Sequence, residues 1–266
     1  MMISVIIPYH NAPVKLFGMC MQSLFAQTYK DFEVVIVDDG SDEEYQPILE
    51  EARKADARIR IIHQNCCGAS AARNRGIKEA RADLLAFVDA DDMITVNYLE
   101  EALKILIAND ADLVAGGVKF VWKLEDMLPS FLAARESLDA AKVICFSGKD
   151  IETFKNCLAS SRRLLKYFEG NVDRGPVARL IRKDIAIQCL FHDELTMWED
   201  MVWNLEVLNK CKKVCAVKKT WYLYYQNPTS SIHRYRPNVV NEVKMTMKYV
   251  EKLLDTDTDD GFETYG

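Results

Sequence analysis

Short apolar runs rich in β-branched residues alternate with helical patterns through the first 122 residues, and this alternation limits the possible folds more than any other feature of the chain. Ile3 to Tyr9, Phe32 to Val37, Arg58 to Gln64 and Leu84 to Val88 are four such runs, and Ala111 to Trp122 contains a fifth. Runs this short and apolar suit strands covered on both faces. Between them, Val14 to Gln27 sets Leu16, Met19, Cys20, Ser23, Leu24 and Gln27 at i, i+3, i+4 spacing. Glu43 to Ala55, Ser70 to Ala80 and Val96 to Asn109 behave alike. Strand–helix–strand alternation predicts an α/β fold with a mainly parallel central sheet flanked by helices.

In such a sheet, ligands bind beyond the carboxyl ends of the strands. Here those ends read Pro8-Tyr9-His10-Asn11, Asp38-Asp39-Gly40-Ser41 and Asp89-Ala90-Asp91-Asp92, and all three are expected to meet at one edge. Gathering Asp38, Asp39, Asp89, Asp91 and Asp92 without compensation is costly, because like charges repel. Mn²⁺ or Mg²⁺ relieves the repulsion by taking one or two carboxylates and completing its shell with phosphate oxygens and water. Asp91 is the expected ligand, which makes the crevice a nucleotide-diphosphate site. Each loop alone has a structural reading, since Asp after a strand also closes turns and caps helices. Asp92 would then cap the helix opening near Val96. The joint occurrence at strand ends favours the metal. No GxGxxG follows the first strand and no GxxxxGK[ST] occurs, so a dinucleotide oxidoreductase and a P-loop enzyme lose their signatures.

The chain of 266 residues carries a net charge of −6, and Glu251, Asp255, Asp257, Asp259, Asp260 and Glu263 concentrate that charge at one end. Residues 255–266 read as an acidic flexible tail. The body has no basic excess of the kind that marks nucleic-acid binding. No segment approaches the roughly 20 apolar residues needed to cross a bilayer. MMISVIIPYH has no basic leader, which sets the expectation of a cytoplasmic protein. The eight cysteines form no CxxC pair and fall mostly in apolar segments, so they are expected reduced and buried; the spacing of Cys211 and Cys215 would suit one helix face, but no second pair completes a zinc site.

The segments SVIIPYHN at 4–11, QSLFAQTYKDFEVVIVDDGSDE at 22–43, GASAARNRGIKEA at 68–80 and LLAFVDADD at 84–92 together resemble the family 2 glycosyltransferases. VARLIRKDI at 177–185, LFHDELTMWEDMVW at 190–203 and YYQNPTSSIH at 224–233 extend the resemblance more loosely. It implies the Rossmann-like GT-A fold: a nucleotide-sugar-binding half at 1–122, a mostly helical acceptor-side half of the same domain at 123–254, and the tail. It also implies inverting, metal-dependent transfer from a UDP-linked donor to a glycan or lipid-linked acceptor, in bacterial surface polysaccharide synthesis. Carried over residue by residue, Pro8, Tyr9 and Asn11 line the base and ribose pocket, and Asp39 contacts the uracil or ribose. Arg73 orients the nucleotide side. Asp89 and Asp91 form the DxD pair, with Asp91 the direct metal ligand. Asp200, in Trp198-Glu199-Asp200, matches the catalytic base. Cys66 and Ala82 stand where many members carry Asn or Lys, and Gly. A sugar nucleotidyltransferase also uses acidic metal ligands, but its glycine-rich phosphate loop is missing here. A catalytically degenerate binder is opposed by the retention of Asp89, Asp91 and Asp200.

The second half offers further candidates. Thr196-Met197-Trp198-Glu199 fits an S/T-x-x-E capping box, which would occupy Glu199 and leave Asp200 free for the cleft. His233 reads either as a further metal ligand or diphosphate contact, or as turn chemistry. Arg179 and Arg182 read as phosphate or acceptor contacts, or as a solvated helix face. Trp221, Tyr222, Tyr224 and Tyr225 read as an acceptor platform or as a final buried strand. Lys123 to Arg174 is expected mainly helical, with a loop around Phe146-Ser147-Gly148. Within it, Leu158 to Gly170 fits either a peripheral membrane contact or an amphipathic core helix. Residues 237–254 are expected as a last helix.

Overall fold

The computed structural model describes residues 1–133, 142–159, 175–227 and 237–254. The first half alternates as expected. Strand β1 (Ile3–Tyr9), helix α1 (Val14–Phe25), β2 (Phe32–Asp39), α2 (Gln46–Ala55), β3 (Ile59–Gln64), α3 (Ala69–Glu79) and β4 (Leu84–Phe87) follow in order. A two-residue strand β5 (Met93–Ile94), α4 (Tyr98–Asn109) and β6 (Leu113–Val121) complete it. The later elements are α5 (Met127–Ala133), β7 (Val143–Ser147), α6 (Asp150–Ala159), β8 (Arg179–Arg182) and the single turn α7 (Lys183–Ala186). They end with α8 (Glu199–Lys210), β9 (Lys213–Tyr225) and α9 (Val239–Leu253).

β1 lies between β2 and β4 and runs parallel to both, with Tyr9 opposite Asp38 and Ile6 opposite Phe87. β3 continues the parallel set beside β2. This arrangement puts the carboxyl ends of β1, β2 and β4 side by side, so the three polar clusters share one edge. Past β4 the sheet is mixed, in contrast to the mainly parallel expectation. β8 inserts antiparallel between β4 and β6, and β9 runs parallel to β6. β5 and β7 are antiparallel to β9 on its other side. The second half of the chain therefore contributes strands to the same sheet as well as helices. β8 is four residues of mixed charge and apolar character, too short to show a period that would separate strand from helix.

Two helical layers cover the sheet. Phe17 and Leu24 of α1, Leu49 of α2 and Leu99 and Leu106 of α4 pack with Ile3, Val5 and Ile7 of β1. Ile77 of α3, Phe154 of α6 and Trp203 and Val207 of α8 pack with Ile6, Leu85 and Phe87. The period-2 alternation of β1 thus feeds both faces. Phe87, Phe191 and Trp203 form an aromatic cluster, with the Phe191 and Trp203 rings stacked at 4.6 Å. Among the described residues, no helix is long and apolar enough to cross a membrane.

The expectations for residues 143–147 and for the cysteines are corrected. Residues 143–147 form a strand within a segment expected mainly helical, so the loop expected around Phe146-Ser147-Gly148 begins only at Gly148, and Cys145 on the strand stands opposite Cys215 on β9, to which it is disulfide-bonded. Cross-strand neighbours have Cβ atoms within about 5.5 Å, and a sequence 70 residues apart gives no sign of that pairing. The expectation of uniformly buried thiols also fails for Cys66 and Cys67, which are exposed; free Cys20, Cys157, Cys189 and Cys211 are buried. Cys211 ends α8 and Cys215 lies on β9, so they share no helix face.

Close packing of α3 on β1 depends on Gly76, where an added Cβ would sit 2.3 Å from Ile6 Cγ2. Gly76→Ala is therefore expected to lower stability by about 1–3 kcal/mol, as overpacking does. Gly18→Ala, inside α1 with nothing within 4 Å, should be neutral or stabilising. Urea midpoints of the two variants, measured side by side, check the contrast.

Candidate active site

The loops after β1 and β2 are clipped together. Asn11 takes the left-handed conformation at φ 47°, which Asn tolerates better than most residues. Its amide donates to Ser41 Oγ at 3.1 Å. Its side chain pairs both ways with Asp42, Nδ2 donating to Oδ2 at 2.8 Å and Oδ1 accepting the Asp42 amide at 2.9 Å. Asp38 accepts from the Ser41 amide and Gln46, and lies 2.8 Å from His63 Nδ1. Burial opposes its charge, but the hydrogen bonds from Gln46, Ser41 and His63 prevail and hold the carboxyl below its usual range. Asp39 fixes the turn before α3, accepting from Gln64 Nε2 at 2.8 Å and from the amides of Cys67 and Gly68 at 2.9 and 2.7 Å. The Tyr9 ring turns inward onto Phe17, with centroids 4.8 Å apart. Its hydroxyl donates to the Ala12 carbonyl, and burial pushes the phenol up. Pro8, half-buried, precedes Tyr9 in the same strand.

Arg73 on α3 joins the DxD loop to the start of α8. Its Nη2 donates to Asp89 Oδ1 at 3.0 Å, and its Nη1 lies 4.0 Å from Glu199 Oε1. The guanidinium carbon sits 5.5 Å from the Phe191 ring centroid. The residue is only 7% exposed. Burial opposes its charge, yet Asp89, Asp200 and Glu199 together hold the guanidinium more firmly protonated than usual. Its Nε is buried with no partner among the described residues.

Tyr222 on β9 secures the other side of the DxD loop. Its hydroxyl accepts from the Asp89 amide at 3.0 Å and donates to Asp92 Oδ2 at 2.7 Å, while the Tyr225 amide donates to Asp92 Oδ1 at 2.7 Å. Asp92 is therefore an anchor for β9 rather than a helix cap, and α4 opens later, with Asn97 at its cap. Burial pushes both Asp91 and Asp92 up, and the neighbouring carboxylates add to the shift. Carboxyls raised by burial and by one another are what a bound cation would relieve. No group of three or more His, Cys, Asp or Glu side chains among the described residues could hold an ion unaided. The all-oxygen donors Asp89 and Asp91 fit a hard divalent ion whose shell is completed by phosphates and water.

The capping box is corrected. α8 begins at Glu199 behind Trp198, which has φ 55° and makes no side-chain cap. Glu199 therefore faces Arg73, a role the sequence reading missed. Asp200, half-buried in the first turn, accepts from the Met201 amide at 2.9 Å. Arg179 and Arg182 lie on β8 rather than a helix. Arg179 is buried and donates to the Gly175 and Val177 carbonyls, and Arg182 pairs with Asp110 and Asp112. Trp221 and Tyr222 are buried in β9, as the strand reading held. His233, residues 160–170 of the amphipathic block and the acidic tail lie outside the described residues.

A family model, glycosyl transferase family 2, matches residues 4–128. "Uncharacterized glycosyltransferase EpsJ" of Bacillus subtilis is 30% identical over 235 residues, covering 86% of this chain and 62% of that protein. Residues 4–128 of the chain are a glycosyltransferase family 2 domain. The cholesterol galactosyltransferase of Borreliella burgdorferi is 27% identical over 256 residues, covering 95% of this chain and 67% of that protein. The crystal structure of S. aureus TarS 1–349 in complex with UDP-GlcNAc superposes with a TM-score of 0.71 at 21% identity, covering 97% of this chain and 68% of that one. At that identity the likeness speaks for the fold, GT-A. The chain spans about three fifths of the length of EpsJ and of B. subtilis EpsH, 62% and 59%.

Two further residues brace the segment leading to α8. Asn74 clamps the Phe191 backbone, its Nδ2 donating to the carbonyl at 2.8 Å and its Oδ1 accepting the amide at 2.7 Å. Its place beside Arg73 in the Ala-Arg-Asn segment was the available signal. His192 lies between Glu206, 2.9 Å from Nε2, and Glu194, 3.3 Å from Nδ1. Burial alone would lower its pKa, but the two carboxylates prevail and raise it. The stability from this pairing is complete below the unfolded imidazole value of about 6.5 and is lost as pH rises through the higher folded value. Between pH 6 and 8 the urea midpoint should therefore fall more steeply for the wild type than for His192→Gln, and parallel slopes would contradict the assignment.

Proposed function

We propose that this chain is an inverting glycosyltransferase that transfers a sugar from a UDP-linked donor to a hydroxyl of a glycan or lipid-linked acceptor, with Mn²⁺ or Mg²⁺ bound. The observation that carries the reading is Arg73, which holds Asp89 at 3.0 Å and Glu199 at 4.0 Å and so sets the donor-side acids beside Asp200. Pro8, Asn11 and Asp39 belong to the strand-end loops that would frame the base and ribose. A metal bound by Asp91, with Asp89 beside it, would neutralise charge on the diphosphate leaving group. His233 is the further ligand the sequence offers.

In this reading the acceptor hydroxyl attacks the anomeric carbon from the face opposite the departing diphosphate, and Asp200 accepts the hydroxyl proton. Asp200 is one of the carboxylates that sustain the charge of the buried Arg73 guanidinium, which places the base next to a fixed cation. Glu199 and the Met201 amide orient the first turn of α8, and Asn74 fixes the approach to it. TarS crystallised with UDP and with UDP-GlcNAc supports a UDP-linked donor by shared fold. The expected setting is cytoplasmic, with peripheral association at the inner membrane face and a role in surface polysaccharide synthesis.

Asp200→Asn is expected to cut turnover at least ~100-fold while UDP affinity stays unchanged, because general-base removal acts on the chemical step. Asp91→Ala is expected to abolish Mn²⁺-dependent UDP binding in calorimetry. Near-normal turnover in the first variant, or unchanged Mn²⁺–UDP affinity in the second, would remove that residue from its role.

A further inference from the structure

We propose that the adjacent thiols Cys66 and Cys67 are a thiol–disulfide exchange site whose oxidation releases the β3–α3 turn from Asp39 and weakens nucleotide binding. The last part rests on the nucleotide reading above. Cys66 and Cys67 are exposed, whereas the other free cysteines among the described residues, Cys20, Cys157, Cys189 and Cys211, are buried. Cys145 and Cys215 are already bonded to each other. A small disulfide in solution therefore meets two neighbouring thiols on one turn and finds the remaining free ones enclosed by the core.

What makes the pair consequential is the backbone between and behind the thiols. The Cys67 and Gly68 amides both donate to the buried Asp39 carboxylate, at 2.9 and 2.7 Å. The turn also lies against Gly40, which has φ +71° and where even a Cβ would come within 2.7 Å of the Cys66 nitrogen. Gly68 itself, at φ +95°, opens α3, whose next turn carries Arg73. The pair thus lies on the peptide that holds Asp39 and leads to the cation at the centre of the site.

The chemistry balances with a small disulfide RSSR as oxidant. One cysteine thiolate attacks a sulfur of RSSR, forming a mixed disulfide and releasing RS⁻. The neighbouring thiolate then attacks the protein sulfur of that bond, forming the Cys66–Cys67 disulfide and releasing a second RS⁻. The two thiol protons pass to the two released thiolates, so RSSR is reduced to 2 RSH. The closed ring contains the Cys66–Cys67 peptide, which can then no longer keep the turn that aims the Cys67 amide at Asp39. Each lost charge-assisted hydrogen bond weakens the strand-end frame.

The test uses the full chain and glutathione disulfide as the probe. Peptide mapping is expected to place oxidation on Cys66 and Cys67. Amide exchange at residues 67 and 68 should accelerate, and Mn²⁺–UDP affinity should fall at least roughly tenfold, in keeping with loss of two hydrogen bonds to a charged group. Added thiol should reverse all three changes. Cys66→Ser/Cys67→Ser, which keeps the Cys145–Cys215 disulfide through the same treatment, should retain its UDP affinity throughout. Oxidation at other cysteines instead, no oxidation at all, or unaltered exchange at residues 67 and 68 after oxidation would overturn the proposal. Should the reduced protein bind no UDP, the nucleotide reading fails, and the amide exchange still decides whether oxidation frees the turn.

Discussion

A single buried guanidinium surrounded by carboxylates is the constraint on which the rest of this site depends. Arg73 is taken out of water on α3, and its charge is sustained there by Asp89, Asp200 and Glu199. Removing one partner of a buried ion group leaves the others uncompensated, which costs far more than a surface pair contributes. The DxD loop and the first turn of α8 are therefore held in a common frame. They lie more than 100 residues apart in the chain, and their meeting is energetic as well as geometric.

The sheet makes that frame possible. β1, β2 and β4 run parallel as neighbours, so their polar ends are forced to one edge, and each end is then fastened by short-range hydrogen bonds. Asn11 and Asp42 pair reciprocally, Asp39 grips the turn before α3, and Tyr222 ties Asp89 and Asp92 to β9. These are mostly buried or half-buried groups whose donors and acceptors are matched within the protein. Burial and Asp89 raise the Asp91 carboxyl, against hydrogen bonds from its own backbone and from Asn227. An acidic position of this kind, beside a rigid frame, is where a hard cation with phosphate oxygens would repair the electrostatics.

How much of this was legible follows from the range of each interaction. The strands and helices of residues 1–122 are encoded by local periodicity, and all of the expected elements there are present, with boundaries shifted by a few residues. β5 was missed because two residues carry no period. The Thr196–Glu199 capping box does not start the helix because Trp198 takes a left-handed conformation and α8 opens only at Glu199, whose carboxylate lies 4.0 Å from Arg73. Asp92 was read as a cap because its partners, Tyr222 and the Tyr225 amide, lie about 130 residues away. Neither reading of Arg179, a phosphate or acceptor contact or a solvated helix face, foresees a buried strand residue, because nothing local shows that its strand is enclosed between β4 and β6.

The amino-acid order by itself determined the α/β alternation and the three acidic or polar strand ends, because periods of 2 and 3.6 and the residues at strand termini are local properties. Tertiary structure alone decided that β8 enters the sheet antiparallel, that Cys145 meets Cys215, that Tyr9 faces the core, and that Glu199 shares Arg73 with Asp89. Those outcomes depend on pairings between distant segments, and their energies arise only when burial removes the competing water.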